Sequence, residues 1–115
     1  MPATRSAHVS LEEALRQGPP PPGNLAVPIF EHGSLEAELY TPTGSDPQKP
    51  HDRDEIYVIA RGRGLFFDGS ERHELAPGSF IFVAAGQPHR FEDFSSDFAV
   101  WVFFYGPRGG ERGPA

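Results

Sequence analysis

Two short segments of the chain carry residue types that can bind a metal ion. His51 and Glu55 lie in the first segment and His89 lies in the second. Neutral imidazole together with a carboxylate is a ligand set that divalent transition metals favour. The sequence contains no cysteine, so only nitrogen and oxygen ligands are available. These residues predict a site for a divalent transition metal, and the ligand types do not distinguish Zn, Fe, Mn, Ni and Cu.

The spacing of His51 and Glu55 places a condition on the backbone. On a straight strand, residues four apart point the same way but lie about 13 Å apart, because each residue advances roughly 3.3 Å. Ligand atoms must come within roughly 2.0–2.2 Å of one ion, so we expect the chain to bend over the polar segment 52–54. His89 follows a turn at Gly86, which can deliver its ring to the same point from another strand.

Length and charge limit the class of protein. The chain has 115 residues, the length of one domain. Ten basic residues against 16 acidic ones give a net charge of -6, with both signs scattered, which argues against a nucleic-acid partner. No apolar run is long enough to span a membrane, and the N-terminus lacks the pattern of a secretory signal. We therefore expect a cytoplasmic protein with no membrane partner.

Frequent turn residues and aromatic residues predict an all-β fold. The counts of 13 Gly, 13 Pro and 10 Phe favour short strands over long helices. The segment 98–105 has no polar residue, which predicts a central strand buried on both faces. Apolar segments between turn residues predict strands over 26–31, 35–41, 55–60, 63–68, 71–75, 79–83, 88–92 and 98–105.

The N-terminal segment is predicted to form a separate arm. Ser10 and Glu13 match a capping box, which predicts a short helix over 11–17. The proline-rich run 19–23 is typical of an extended polyproline spacer. The predicted organisation is an arm over 1–24, a β-barrel domain over 25–105 and a flexible tail over 106–115.

The two histidine segments resemble the paired motifs of the cupin family. Residues 49–62 are similar to the first motif, whose core is His-x-His, a Glu a few residues on and a later Gly. Pro77-Gly78-Ser79 and Pro88-His89-Arg90-Phe91 are similar to the second motif, and the resemblance covers residues 25–105. It implies a small single-domain, RmlC-like cupin. The implied fold is a jelly-roll β-barrel, often a homodimer, with a metal and a small-molecule ligand in its mouth.

Carried over residue by residue, the resemblance gives His51, Glu55 and His89 as the metal ligands. Lys49 stands where the family commonly has its first histidine, and a protonated ammonium group cannot coordinate. Ser79 stands where the second motif often has Asp. The resemblance therefore implies three protein ligands, which leave open positions for water or substrate. The alternative is a metal-free or non-catalytic small-ligand-binding barrel, in which Lys49 pairs with Glu55.

Inward-facing aromatic residues are predicted to line the ligand cavity. Tyr57 follows Glu55 at the period of two that returns a side chain to the same face of a strand. Arg90 is either a surface arginine or a partner for a carboxylate on the substrate. No residue is assigned a catalytic role, so the sequence leaves enzymatic activity open. The other predicted pocket-lining residues are Lys49, Phe91, Trp101 and Phe103.

Overall fold

The computed structural model describes residues 6–112, and the predictions that fall on 1–5 and 113–115 lie outside the described residues. The described chain is mostly β, with one short helix and two antiparallel sheets. The predicted all-β class with a short N-terminal helix is confirmed, and each predicted strand is present. The elements are α1 (Leu11–Arg16), β1 (Val27–His32), β2 (Leu35–Tyr40), β3 (Asp54–Arg61), β4 (Gly64–Phe67), β5 (Arg72–Leu75), β6 (Phe80–Val83), β7 (Arg90–Glu92) and β8 (Ala99–Tyr105).

The larger sheet provides most of the wall around the candidate site. Its strand order is β1-β2-β8-β3-β6, and the smaller sheet has the order β5-β4-β7. The predicted central strand β8 lies between β2 and β3, where Val102 pairs with Glu38 on one side and Tyr57 on the other. Residues directly opposite each other in antiparallel strands point to the same face. Glu38, Val102 and Tyr57 therefore share the inner face of this sheet.

The hydrophobic core lies between the two sheets and is rich in aromatic rings. The ring of Phe91 meets that of Tyr57 edge-on at 4.9 Å between centroids, and that of Phe98 at 5.3 Å. Such edge-to-face pairs add to the free energy gained by burial. Phe91, predicted to line the pocket, is thus a core residue with 1% of its surface exposed.

The outer face of the larger sheet is also apolar. Along β8, Trp101 and Phe103 alternate with Val102 and pair with Leu39 and Ala37 of β2. Residues 6, 7 and 9 of the arm join them around a second cavity of about 510 Å³. The structure therefore places Trp101 and Phe103 on the outer face, not on the face that carries Tyr57, because successive strand residues point to opposite faces.

The N-terminal arm begins with the predicted capping box and then turns. Ser10 Oγ accepts a hydrogen bond from the Glu13 backbone N–H at 3.1 Å, and Ala14 is fully buried, so the helix is packed. The proline run does not stay extended, since the Asn24 N–H donates to the Pro21 carbonyl at 3.0 Å. No helix within residues 6–112 has the length and apolar character needed to cross a membrane.

The described part of the predicted tail is held against the start of β3. The Gly109 N–H donates to the Asp52 carbonyl at 2.6 Å, and the Glu111 N–H donates to Asp54 Oδ2 at 2.8 Å. The other oxygen of this carboxylate, Asp54 Oδ1, accepts a hydrogen bond from the Ala85 N–H at 2.9 Å. The buried Asp54 carboxylate thus joins three segments at the end of the larger sheet.

Candidate metal centre

The backbone bends between His51 and the start of β3, as the spacing of the ligands requires. Residues 52 and 53 form a bend, and the strand begins at Asp54. The Gly86 N–H donates to the His51 carbonyl at 2.7 Å, which ties this bend to the turn before His89. His51 and the strand residue Glu55 consequently line the same cavity.

His89 meets Glu55 between the two sheets. Glu55 lies on β3 of the larger sheet, and His89 immediately precedes β7 of the smaller one. His89 Nε2 lies 3.1 Å from Glu55 Oε1, and their side chains are 0% and 1% exposed. The contact lacks hydrogen-bond geometry, and within residues 6–112 neither Glu55 oxygen has a hydrogen-bond donor. A buried carboxylate in this state is costly unless a cation or a proton satisfies it.

A chain of side-chain hydrogen bonds fixes the Tyr57 hydroxyl beside this pair. Gln48 Nε2 donates to Asp46 Oδ2 at 2.7 Å, which leaves Gln48 Oε1 as an acceptor. The Tyr57 hydroxyl donates to that oxygen at 3.0 Å. Burial raises the pKa of Tyr57 far above its ordinary value, and the Glu55 charge adds to the shift. The phenol therefore stays protonated at physiological pH.

Hydrogen-bond partners hold both ring nitrogens of His89 in position. His89 Nδ1 lies 2.8 Å from the Gln87 carbonyl oxygen, to which it must donate. His89 Nε2 lies 2.8 Å from the Tyr57 hydroxyl, and it can donate to this oxygen when the ring is an imidazolium. Burial disfavours the imidazolium, but the adjacent Glu55 carboxylate and the Gln87 carbonyl outweigh it and raise the pKa of His89. The raised pKa favours the imidazolium, in which Nε2 beside Glu55 carries a proton.

A cavity of about 360 Å³ opens beside Glu55, bounded by β2, β3, β8 and the segments that precede β1 and β3. The rings of His51 and Phe104 pack edge to face, with 4.9 Å between ring centroids. His89 does not line the cavity itself, but its ring contacts Glu55 and Tyr57, which do. The polar residues of the wall are Asn24, Glu38, Tyr40, Gln48, His51, Glu55 and Tyr57.

Two predicted cationic candidates lie away from the cavity. Lys49 is exposed and is not among the lining residues, whereas its neighbour Gln48 is. Arg90 is exposed, donates to Glu92 Oε2 at 2.5 Å and lies over the Phe67 ring at 4.7 Å. These contacts place Arg90 on the surface and leave it no role in the cavity.

Glu38 and Tyr40 were not predicted as site residues. They share the inner face of β2, while Leu35, Ala37 and Leu39 face the opposite way. The usual assignment puts the apolar residues of an alternating strand on the core side. The alternation along β2 carries no sequence signal that its polar side faces inward.

The described residues contain a second group of potential ligands, at the hairpin between β4 and β5. Asp68, Glu71 and His73 have donor atoms within 4.8 Å of one another, whereas His51, Glu55 and His89 do not form such a group. Backbone N–H groups of Ser70 and Glu71 donate to Asp68 Oδ1, and His73 Nε2 lies 2.9 Å from Oδ2. The carboxylate of Asp68 therefore has its hydrogen-bond partners within the turn itself.

The ring centroids of His51 and His89 are 6.2 Å apart. The structure thus brings Glu55 and His89 into contact and places His51 on the adjacent cavity wall.

Residues 38–105 match the Cupin domain family, and this match includes both histidine segments and all strands from β3 to β8. It spans more than half of the chain. The chain belongs to the cupin domain family, as the resemblance of the two motifs predicts.

Similar proteins support the fold. The chain is 41% identical over 63 residues to the uncharacterized protein SCO3923 of Streptomyces coelicolor, and the match covers 55% of this chain and 60% of that protein. A cupin-2 domain containing protein from Shewanella frigidimarina superposes with a TM-score of 0.69 at 13% identity, over 85% of this chain and 94% of that chain. The DMSP lyase DddQ from Ruegeria pomeroyi has a TM-score of 0.55 at 29% identity, over 64% of this chain and 39% of that chain.

Proposed function

We propose that this cupin binds a divalent transition metal through His51, Glu55 and His89, beside a cavity that takes a small organic molecule. The observation that carries the proposal is the Glu55 carboxylate, which is 1% exposed and has no hydrogen-bond donor among the described residues. The imidazole Nε2 of His89 lies 3.1 Å from it. A metal ion bound to both groups would satisfy the carboxylate and replace the proton on that nitrogen.

The environment of His89 suits a metal ligand. Its Nδ1 donates to the Gln87 carbonyl, which directs Nε2 towards Glu55. A ligating histidine ordinarily donates its other ring N–H to a carbonyl or carboxylate in this way, which fixes the ring and strengthens the ligand. His51 would supply the second imidazole from the cavity wall.

A metal bound here supplies a Lewis acid next to the cavity. Tyr57 and Gln48 hold the neighbouring wall in place, and the Tyr57 hydroxyl keeps its proton because the pKa is raised. The cavity of about 360 Å³ has room for a small organic molecule. The likeness to a DMSP lyase supports a protein that processes a small molecule, although only 39% of that enzyme is matched.

Metal analysis of protein purified without chelator tests the proposal. We expect close to one equivalent of metal in the unaltered protein and a large loss in His89→Ala and in His51→Ala. His73→Ala is the matched control, because it removes a histidine from the hairpin group and should leave the metal content unchanged. Metal that survives both ligand substitutions but falls in His73→Ala would contradict the assignment.

A metal-free barrel is the second candidate, and the raised pKa of His89 favours it. With both nitrogens protonated, the imidazolium offsets the Glu55 charge without an ion. The same wall residues would then bind a small ligand by hydrogen bonds alone. Absence of metal after dialysis against Zn²⁺ and Mn²⁺, with the fold intact by circular dichroism, would support this candidate over the first.

We also propose that the chain forms a homodimer through the outer face of the larger sheet. Phe80 and Phe82 of β6 are 65% and 49% exposed, and they pair with Val58 and Ile56 of β3 on the same face. Adjoining exposed apolar side chains of this size are typical of an interaction surface. Light scattering should give twice the 12.6 kDa chain mass, and Phe80→Glu should shift it to a monomer.

A further inference from the structure

Glu38 is a carboxylate on the cavity wall whose surroundings add negative charge. Burial raises the pKa of Glu38, and the carboxylates of Glu36, Glu31 and Glu55 raise it further. The guanidinium of Arg53 lies 3.4 Å from the Glu36 carboxylate and offsets the charge of Glu36. Glu38 therefore faces the cavity in a negative local field.

Glu55 is a second carboxylate on the same wall, and its lack of a hydrogen-bond donor is separate evidence that the cavity binds a ligand. It is almost fully buried, lines the cavity and has no donor within the described chain. No Lys or Arg is among the described residues that line this cavity. Glu55 has the imidazole of His89 at 3.1 Å, whereas no Lys or Arg of the described residues forms an ion pair with Glu38, so the charge of Glu38 is the one left to the organic ligand.

Part of the remaining wall is aromatic. Tyr40, Tyr57 and Phe104 line the cavity together with Glu38. Aromatic faces attract cations through the negative charge density of the ring, by about 0.5–2 kcal/mol. An anion would meet repulsion from Glu38 and would gain nothing from the rings.

We propose that this cavity recognises a small organic cation, an alkylammonium or similar group, and that Glu38 is the residue that selects its positive charge. The inference rests on the proposed function only in that the organic molecule occupies this same cavity. Glu38 is a binding residue here, since it lines the same cavity as His51 and Glu55.

Three probes of the same shape and different charge test the proposal. They are choline, its neutral isostere 3,3-dimethylbutan-1-ol and the anion 3,3-dimethylbutanoate. Dissociation constants are measured by NMR titration at mildly alkaline pH, so that Glu38 is ionised despite its raised pKa. The variants are Glu38→Gln and, as matched control, Glu31→Gln, which removes the same charge from an exposed residue of β1 that does not line the cavity.

The unaltered protein should bind choline at least about tenfold more tightly than the neutral isostere, and the anion least. Glu38→Gln should abolish this preference and leave the weak affinity for the neutral isostere unchanged, while Glu31→Gln keeps the preference. Equal affinity for choline and its isostere, no binding of choline, or an unchanged preference in Glu38→Gln would each overturn the proposal.

Metal content measured on the same samples separates this inference from the metal proposal. Glu38→Gln should retain the metal of the unaltered protein, because Glu38 is not a proposed ligand. A choline preference in protein that holds no metal would contradict the metal proposal alone. A full equivalent of metal without a choline preference would contradict the cation proposal alone.

Discussion

His89 Nε2 lies 3.1 Å from Glu55 Oε1, although His89 immediately precedes β7 of the smaller sheet and Glu55 lies on β3 of the larger. Both side chains are essentially without solvent contact. The pair therefore contributes both to the packing of the two sheets and to the candidate metal site. A proton or a metal ion at this point neutralises the buried carboxylate, and the two states compete for one nitrogen.

The buried pair should show strong coupling in the metal-free protein. Glu55→Gln and His89→Gln each leave a buried group without its partner, so each should lower the free energy of unfolding by about 3–5 kcal/mol. The double variant should be less destabilised than the sum of the two, by roughly 1–3 kcal/mol. Denaturant unfolding of the unaltered protein, the two single variants and the double variant, with chelator present, measures this coupling. Additive effects would mean that the contact contributes nothing.

Removal of the Glu38 charge should stabilise the ligand-free protein at neutral pH. A carboxyl whose pKa is higher in the folded than in the unfolded chain prefers its protonated form when folded, so stability falls as pH rises through that interval. Glu38→Gln should therefore raise the thermal midpoint at pH 7, and the gain should vanish below the ordinary pKa of 4.5. Glu31→Gln is the control, and a lower midpoint for Glu38→Gln at pH 7 would refute the expectation.

A fourth metal ligand should be obtainable from the residue before Lys49. Gln48 lines the cavity and accepts from Tyr57, whereas Lys49 is exposed. We expect Gln48→His to tighten Zn²⁺ binding by about tenfold, equivalent to 1.4 kcal/mol. Competition with a chromogenic chelator measures the affinity. Lys49→His is the comparison, and a larger gain from Lys49→His would show that the loop rearranges when metal binds.

The hairpin carboxylate Asp68 should titrate at unusually low pH. The backbone N–H of Glu71, followed by the side chain of His73, lowers the pKa of Asp68 to about 2. Because its pKa is lower in the folded chain than the ordinary 3.8, its contribution to stability is present above that value and is lost as pH falls through about 2. Carboxyl NMR titration measures this pKa directly. A pKa at or above 3.8 would show that the turn is not formed in solution.

The strand pattern was predictable because turn chemistry is local. Gly62, Gly69, Gly78 and Gly86 all have positive φ, a conformation that favours glycine, and they separate the strands of the second half of the chain. The bend before β3 was also predictable, because ligand distance demands it. The contact of Glu55 with His89 followed from the family resemblance rather than from any local pattern.

The lining of the cavity was less predictable because both faces of the larger sheet are buried to some extent. Apolar alternation alone cannot show whether Trp101 and Phe103 face the core or the outer side, because the arm packs near them on the outer face. Glu38 was not predicted as a cavity residue because a glutamate in a strand ordinarily faces solvent. Only the pairing of Glu38 with Val102 shows that it faces inward.

Anomalous diffraction from crystals grown with Zn²⁺, recorded on both sides of the zinc edge, tests the central claim most directly. The account predicts a strong peak within roughly 2.0–2.2 Å of His89 Nε2 and a Glu55 oxygen, with His51 as the third ligand. No peak at this position, or a peak only at the hairpin group of Asp68, Glu71 and His73, would contradict it.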